Sequence, residues 1–471
     1  MNKTKIISTV GPMTSSKEIL RKMIRAGTDV FRINLSHSTY KDAEKICSYI
    51  KSLNRELKTN VGTLIDTKGP EIRIGEIDLD LVLKKGDIIT LTNRPANGEY
   101  GYIQVSYKDL YKDVSIDDRV LIDDGLIELK VINILDEDVK CITLTGGKVY
   151  SRKGLNVPDS NLSLDFLSEE NKEDIRFASR VKADFIALSF VRNANDVLDV
   201  NDMLISLRDD HMQIISKIES KSSIGDIENI IKVSDGIMIA RGDLGIEIPL
   251  ESIPSVQKKI VKQSYSKGKL CIVATEMLTS MEFSSRPTRA EVSDVANAIL
   301  DGADAVMLSG ETAIGNYPLE TINTMNKIID ATEETMDYDE LLIKHTTQDQ
   351  KDITTVISHS VVDAANMLNT KAIVATTMSG YTAKKISSHR PCCPIIATTP
   401  SKETATSLSL NWGVIPILVS KYNNTDEIVK NAVEVAKEEL KLTKGDKIII
   451  TGGFPLKETK YTNFLKVEEI E

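Results

Sequence analysis

Cysteine is scarce and unpatterned in this chain. Its five residues, at 47, 141, 271, 392 and 393, form an odd set without disulfide-framework or zinc-ligand spacing. A long apolar run is also missing: none approaches the ~18 residues that span a bilayer. The opening MNKTKIISTVGP meets polar residues and a Gly-Pro too early for a secretion signal. Basic charge is in deficit. Lys and Arg number 59 against 69 Asp and Glu, and the net charge of -10 argues against nucleic acid or an anionic membrane as the main partner. There is no Walker A loop and no protein-kinase glycine loop, so any ATP chemistry must use another architecture. Together these absences predict a soluble cytoplasmic protein held by hydrophobic packing. What is present fits: 41% hydrophobic and 27% charged residues are globular proportions, and 471 residues predict about three domains.

Eight short runs rich in β-branched and aliphatic residues recur at 4–10 (TKIISTV), 30–35 (VFRINL), 61–66 (VGTLID), 185–190 (FIALSF), 214–218 (IISKI), 236–240 (GIMIA), 270–275 (LCIVAT) and 305–308 (AVML). They read as buried strands. Stretches of helical period separate most of them, at 16–25, 41–57, 194–208, 254–266 and 289–300. Eight alternating units predict a closed (β/α)8 TIM barrel, an α/β fold. The rhythm breaks once. From about 71 to 154 there is no good amphipathic helix, only strand-like runs between turn signals such as KKGD, NRPANGEYG and IDDG. That predicts a small all-β domain inserted in the third βα loop, on the catalytic face, where it can act as a lid. After a polar stretch at 336–351 a second α/β rhythm predicts a separate open α/β domain. The expected limits are 1–69 and 155–335 for the barrel, 70–154 for the lid and 336–471 for the last domain.

In such a barrel, chemistry gathers at the C-terminal ends of the strands. Those ends carry Arg32, Asn34 and Ser36; Asp66, Thr67 and Lys68; Lys217 and Glu219; Ala240, Arg241, Gly242 and Asp243; Thr275 and Glu276; and Ser309 and Glu311. So many ionisable groups on one face are costly unless they meet in a polar site. In the segment SKIE, alternation turns Lys217 and Glu219 to one side and Ile218 to the outer helices. Alone, the pair could be a plain ion pair. Asp243 on the next strand end adds a second carboxylate, which favours a hard divalent ion, Mg2+ or Mn2+. Arg32, Lys68, Arg73, Lys217 and Arg241 put positive charge on one face of an acidic protein, which suits a phosphate ester. In the last domain, TTMSGYT at 376–382 links a strand to a helix start, and its hydroxyls and N–H groups read as an anion site.

The segments TKIISTVGP, FRINLSH, IDTKGPEIRIG, RKGLNVP, ISKIES, MIARGDLGIEIP, VATEMLTSM and VMLSGETAIGNYPLE, in this order, resemble the pyruvate kinase family over essentially the full chain. The Lys-x-Glu of ISKIES is that family's signature. The resemblance implies the same three-part architecture and the reaction of phosphoenolpyruvate with ADP to give pyruvate and ATP. It implies that Lys217 stabilises the transferring phosphoryl group, that Arg32 contacts it and that Thr275 steers protonation of the enolate. It also implies substrate contacts from Ala240, Arg241, Gly242 and Asp243, and a divalent ion on Glu219 and Asp243. K+ would sit at Asn34, Ser36, Asp66 and Thr67, and a Glu at 71 accompanies K+ dependence in this family. Arg73, Lys153, Asn34 and His37 fall on the nucleotide side, where a second metal travels with ADP. A homotetramer is implied. So is a sugar-phosphate effector at Thr376, Thr377, Ser379, Gly380, Tyr381 and Thr382, with Lys457 and Lys460.

Three positions depart from the family pattern: Glu276 stands where Gln is usual, Ser38 where Gly is common, and Tyr40 where a polar residue is often seen. Two rival readings weigh less. A catalytically silent relative requires loss of Lys217, Glu219 or Asp243, and all three are present. An aldolase or lyase acting on the same substrate would use the same metal and lysine, but it leaves the lid and the nucleotide-side residues without a purpose.

Overall fold

The computed structural model describes residues 2–77, 81–160, 162–344, 352–422, 424–453 and 461–471. Eight strands form the barrel: β1 (Lys5–Thr9), β2 (Val30–Asn34), β3 (Gly62–Asp66), β4 (Phe185–Leu188), β5 (Gln213–Ile218), β6 (Gly236–Ala240), β7 (Leu270–Ala274) and β8 (Ala305–Leu308). All pair in parallel, and β8 closes on β1. Period-two alternation does the sorting. Ile7, Val30, Leu64, Phe185, Ile215, Met238, Ile272 and Met307 fill the interior. Ile6, Ile33, Ile65, Ile218, Ile239 and Val273 face outward into the helix layer. The helices carry their own stop and start signals. Ser16 caps the helix Lys17–Ala26, which ends on Gly27 at φ 110°. Thr288 and Glu291 form a capping box on Arg289–Asp301.

Between β3 and β4 the chain leaves the barrel and builds a largely antiparallel seven-stranded sheet plus a two-stranded piece. Its separate core includes Ile89, Leu91, Val120, Leu129, Val131 and Cys141. The first lid strand is Ile72–Arg73 and the last is Gly154–Asn156, and these two pair with each other where the lid joins the barrel.

The polar stretch after the barrel opens with a helix, Tyr338–Lys344; residues 345–351 lie outside the described residues. The last domain holds β9 (Ala372–Thr376), β10 (Ile395–Thr399), β11 (Val414–Leu418), β12 (Lys447–Gly452) and β13 (Phe464–Glu469). Their order is β11-β10-β9-β12-β13, parallel except for β13. The direction of winding reverses between β9 and β12, so the loop after β9, at 376–382, begins at the point where the strand order switches.

This domain docks on the closed end of the barrel. Leu410 joins the interior cluster from below. Gln213, the first residue of β5, donates to Ser407 O at 2.7 Å and accepts from Lys384 Nζ at 2.8 Å. Arg390 pairs with Asp304 at 3.0 Å. The opposite end, where the strands finish, is left to the lid. Among the described residues, no helix is long and apolar enough to cross a membrane.

One buried side chain here makes stability depend on pH. His389 is 7% exposed, with the His359 ring edge-on at 5.7 Å. Burial, then His359 and Lys385, push its imidazole down to about 4 from 6.5. A depressed histidine favours the folded state above its unfolded value. That stability is fully present above about pH 6.5 and is lost as pH falls towards about 4, for a total of ~3 kcal/mol. His389→Leu should therefore flatten the fall in the urea midpoint between pH 7 and pH 5. Parallel profiles for the two proteins would contradict the assignment.

Candidate active site

Strand β5 sets the centre of the site. Ile215 points into the barrel core, so Lys217, two residues on, points the same way at the open end, and Ile218 points into the helix layer. Lys217 Nζ lies 2.7 Å from Glu219 Oε1, 3.3 Å from Asp66 Oδ1 and 2.8 Å from Ser189 Oγ. Arg32, from β2, completes the cluster: its Nε donates to Asp66 Oδ2 at 2.6 Å and its Nη1 to Thr9 Oγ1 at 3.1 Å. These are buried charges. Lys217 is 8% exposed, Arg32 9%, and Asp66 and Glu219 1% each. Such groups persist only when they are paired and hydrogen-bonded.

The environment fixes their protonation. Burial works against the Lys217 ammonium, but Asp66, Glu219 and Asp243 outweigh it and hold the proton well above the usual lysine range. Burial would also neutralise Asp66, yet Lys217 and Arg32 keep its carboxyl below the usual range. Burial pushes the Glu219 carboxyl up, with Lys217 opposing and Asp243 adding repulsion. Glu219 Oε2 accepts from Phe190 N at 2.6 Å, whereas among the described residues Oε1 meets the Lys217 ammonium alone, at 2.7 Å. A further cation beside Glu219 and Asp243 would relieve both the burial and the repulsion.

Across the pocket the chain is strained. Thr275 and Glu276 both adopt left-handed backbone, at φ 66° and 54°, which costs on the order of 1–3 kcal/mol each. Arg241 holds them there. Its Nη2 donates to Thr275 O at 2.8 Å and to Glu276 O at 3.0 Å, and its Nη1 pairs with Asp294 at 2.6 Å. Gly242 N donates to Thr275 Oγ1 at 2.8 Å. The Arg241 side chain thus braces the Thr275 turn instead of adding charge to the pocket, and the backbone of Ala240, Arg241 and Gly242 is what this segment presents beside Asp243.

The comparisons with known proteins agree over the whole chain. The pyruvate kinase barrel-domain model matches residues 1–322, and the pyruvate kinase alpha/beta-domain model matches 355–468. The pyruvate kinase of Clostridium perfringens is 43% identical, covering 100% of both chains. That of Staphylococcus aureus strain MRSA252 is 44% identical over 99% of this chain and 80% of its own. The crystal structure of a pyruvate kinase from Cryptosporidium parvum superposes with a TM-score of 0.94 at 36% identity, over 99% of this chain and 96% of that one.

The chain belongs to the pyruvate kinase family. Its reaction is transfer of the phosphoryl group of phosphoenolpyruvate to ADP, giving pyruvate and ATP, in glycolysis. Within a pyruvate kinase frame, the expected residues fall into three groups. Lys217, Glu219, Asp66, Arg32 and Thr67 meet directly at the ends of β2, β3 and β5, with Ser189 between them. Asn34 lies beside Asp66 in the β2–β3 register, and its Oδ1 accepts from Ser36 N at 2.9 Å. Ser36 and His37 are exposed just beyond it.

A second group belongs to the lid. Arg73 pairs with Glu71 at 2.6 Å and donates to Arg152 O, while Lys153 pairs with Asp123 at 2.7 Å. Lys68 is taken up by Glu170 at 2.7 Å, so it does not join the buried cluster. The third group lies in the last domain, in the loop after β9. Thr377 Oγ1 accepts from Gly380 N at 2.9 Å, Gly380 adopts φ 83°, and Thr382 meets Thr462 at 2.8 Å. Lys457 and Lys460 lie outside the described residues. Sequence reasoning missed Ser189. In the sequence it falls inside the fourth run, 185–190, whereas the strand ends at Leu188.

Proposed function

We propose that phosphoryl transfer in this chain is carried by Lys217, with Arg32 and Thr275 in support. The observation that carries this reading is the buried Lys217, Asp66, Glu219 and Arg32 cluster at the open end of the barrel. A fixed ammonium suits the charge that spreads over the transferring phosphoryl group, because it needs no reorganisation as the reaction proceeds. Arg32 binds the same group, and Asp66 holds Arg32 and Lys217 in place. The strained Thr275 turn, braced by Arg241, fixes the Thr275 hydroxyl, which accepts from Gly242 N and donates to Ala274 O at 2.6 Å, where it steers protonation of the enolate. Ala240, Arg241 and Gly242 line the substrate through their backbone.

Glu219 and Asp243 fit a divalent ion. They are hard oxygen donors, and among the described residues no third His, Cys, Asp or Glu gathers with them to close a full cage. Two carboxylates with open positions suit Mg2+ or Mn2+, whose remaining ligands are water and substrate oxygens. When bound, the ion neutralises charge on the substrate carboxylate and phosphate. Arg73, Lys153, Asn34 and His37 contact ADP on the nucleotide side, and a second metal travels with the ADP phosphates. Asn34, Ser36, Asp66 and Thr67 fit K+ as oxygen donors at adjacent strand ends, with Glu71 setting the need for it. In the last domain, Thr376, Thr377, Ser379, Gly380, Tyr381 and Thr382, with Lys457 and Lys460, take a sugar phosphate; the strand-order reversal beside them supports this. The working assembly is a homotetramer and the working location the cytoplasm. The domain limits are 1–69 with 155–335, 70–154 and 336–471.

The K+ assignment has its own test. Replacing K+ by Na+ at constant ionic strength should lower kcat about tenfold or more, equivalent to ~1.4 kcal/mol in the barrier. Glu71→Lys should shrink that ratio, because its ammonium supplies the missing charge. Equal wild-type rates in the two salts would sink the assignment.

A further inference from the structure

Ser189 and Phe190 follow β4 directly, and neither has a role in the reading above. Ser189 is 3% exposed. Its Oγ accepts from Lys217 Nζ at 2.8 Å. Its single proton goes to Thr67 O at 2.7 Å, with Asp66 Oδ1 at 3.1 Å as the alternative acceptor. Phe190 N donates to Glu219 Oε2 at 2.6 Å. One turn therefore holds both the ammonium and the carboxylate of the site.

That turn is under strain and is braced from the lid side. Phe190 has φ 57°, a left-handed conformation that a bulky residue rarely adopts without support. The support is Gly69, the last residue before the lid insertion, itself at φ 74°. A Cβ placed on Gly69 would lie 2.8 Å from Ser189 Cβ and 2.9 Å from Phe190 Cδ2. The Gly69 backbone thus rests directly on both residues, and only glycine allows that approach. Gly69 is anchored in turn: its N–H donates to Asn171 Oδ1 at 3.1 Å, and Lys68 N donates to Asp174 Oδ2 at 3.0 Å. Phe190 also lines a cavity of about 690 Å³ with Pro70, Ile72, Leu155 and Val157, where the lid joins the barrel.

We propose that Ser189 and Phe190 are positioning residues: Ser189 aims the Lys217 ammonium, Phe190 aims the Glu219 carboxylate, and Gly69 ties both to the hinge of the lid. The inference rests on the roles given above to Lys217 and Glu219. A metal-binding carboxylate is oriented by the donor on its other oxygen, and such partners typically matter ten- to a hundredfold for affinity. The turn fixes Oε2 and so leaves the geometry of Oε1 defined.

The experiment measures Mn2+ binding to the substrate-free protein by electron paramagnetic resonance, together with kcat and the KM for phosphoenolpyruvate. Ser189→Ala should lower kcat about thirtyfold, while KM and the Mn2+ Kd stay within about threefold. Phe190→Gly keeps the amide and suits the positive φ, but it removes the ring from Gly69; its Mn2+ Kd should rise about tenfold. Phe190→Leu, which restores an apolar side chain against Gly69, should return Kd to within about threefold of wild type. Thermal melting establishes that each variant is folded, and Ser189→Cys, with the same expected loss, replaces the alanine variant if that one does not fold. Wild-type kcat in Ser189→Ala, or wild-type Mn2+ Kd in Phe190→Gly, overturns the proposal. Glu219→Gln separates the two levels. If it binds Mn2+ as wild type does, the metal assignment itself fails. If it loses Mn2+ while Phe190→Gly does not, only the positioning role fails.

Discussion

Lys217→Met should lower kcat about a thousandfold, a loss of ~4 kcal/mol in transition-state stabilisation. Methionine nearly matches the lysine stem in volume, so the barrel mouth keeps its packing while the charge disappears. The ammonium sits among Asp66, Glu219 and Ser189, held in one position before substrate arrives. Its contribution therefore belongs to the transition state more than to binding, and the KM for phosphoenolpyruvate should move far less than kcat. Two side effects follow. Removing one partner of a buried ion cluster costs about 3–5 kcal/mol of stability at most, softened here because Arg32 still pairs with Asp66. Mn2+ should bind no more weakly than to wild type, since the Lys217 ammonium no longer competes for Glu219 Oε1. Steady-state kinetics and a Mn2+ titration check all three. A kcat loss under tenfold would make Lys217 a structural ion-pair partner only.

Glu219→Gln and Asp243→Asn should each weaken Mn2+ binding about a hundredfold, or ~2.7 kcal/mol. Each change removes one of two protein carboxylates while keeping the shape of the side chain. The consequences for activity should differ from those at Lys217. Raising Mg2+ should recover part of the lost rate, because the defect lies in occupancy. In Glu219→Gln the amide oxygen can still accept from Phe190 N, so the turn after β4 survives and the loss reports on the charge. If both variants bound Mn2+ normally, the divalent ion would have to sit elsewhere.

The barrel and the heart of the site were legible in the sequence because their physics is local. Alternation over a six-residue strand is enough to place Ile215 and Lys217 on one side and Ile218 on the other, and those three residues sit as the pattern requires. The lid was legible for the opposite reason, since turn chemistry replaced helical period. What escaped was set by distant contacts. Leu410 plugs the barrel from another domain, and nothing near it in sequence marks a partner so far away. Arg241 stands in the right strand end to look like a substrate ligand, yet Thr275, Glu276 and Asp294 claim its guanidinium. The left-handed residues Phe190, Thr275 and Glu276 carry no glycine to betray them, because tertiary contacts hold them there. The edge strand β13, Phe464–Glu469, runs antiparallel against the parallel rhythm and so left no βα signal.

The central claim is that the buried cluster at the open end of the barrel moves a phosphoryl group from phosphoenolpyruvate to ADP. The measurement that tests it most directly follows pyruvate and ATP together, from phosphoenolpyruvate with Mg2+ and K+, with and without ADP, for wild type and Lys217→Met. The account predicts equal amounts of pyruvate and ATP, formed by wild type only when ADP is present and nearly abolished in the variant. Pyruvate released with inorganic phosphate at a similar rate without ADP, or an unaffected Lys217→Met, would contradict it.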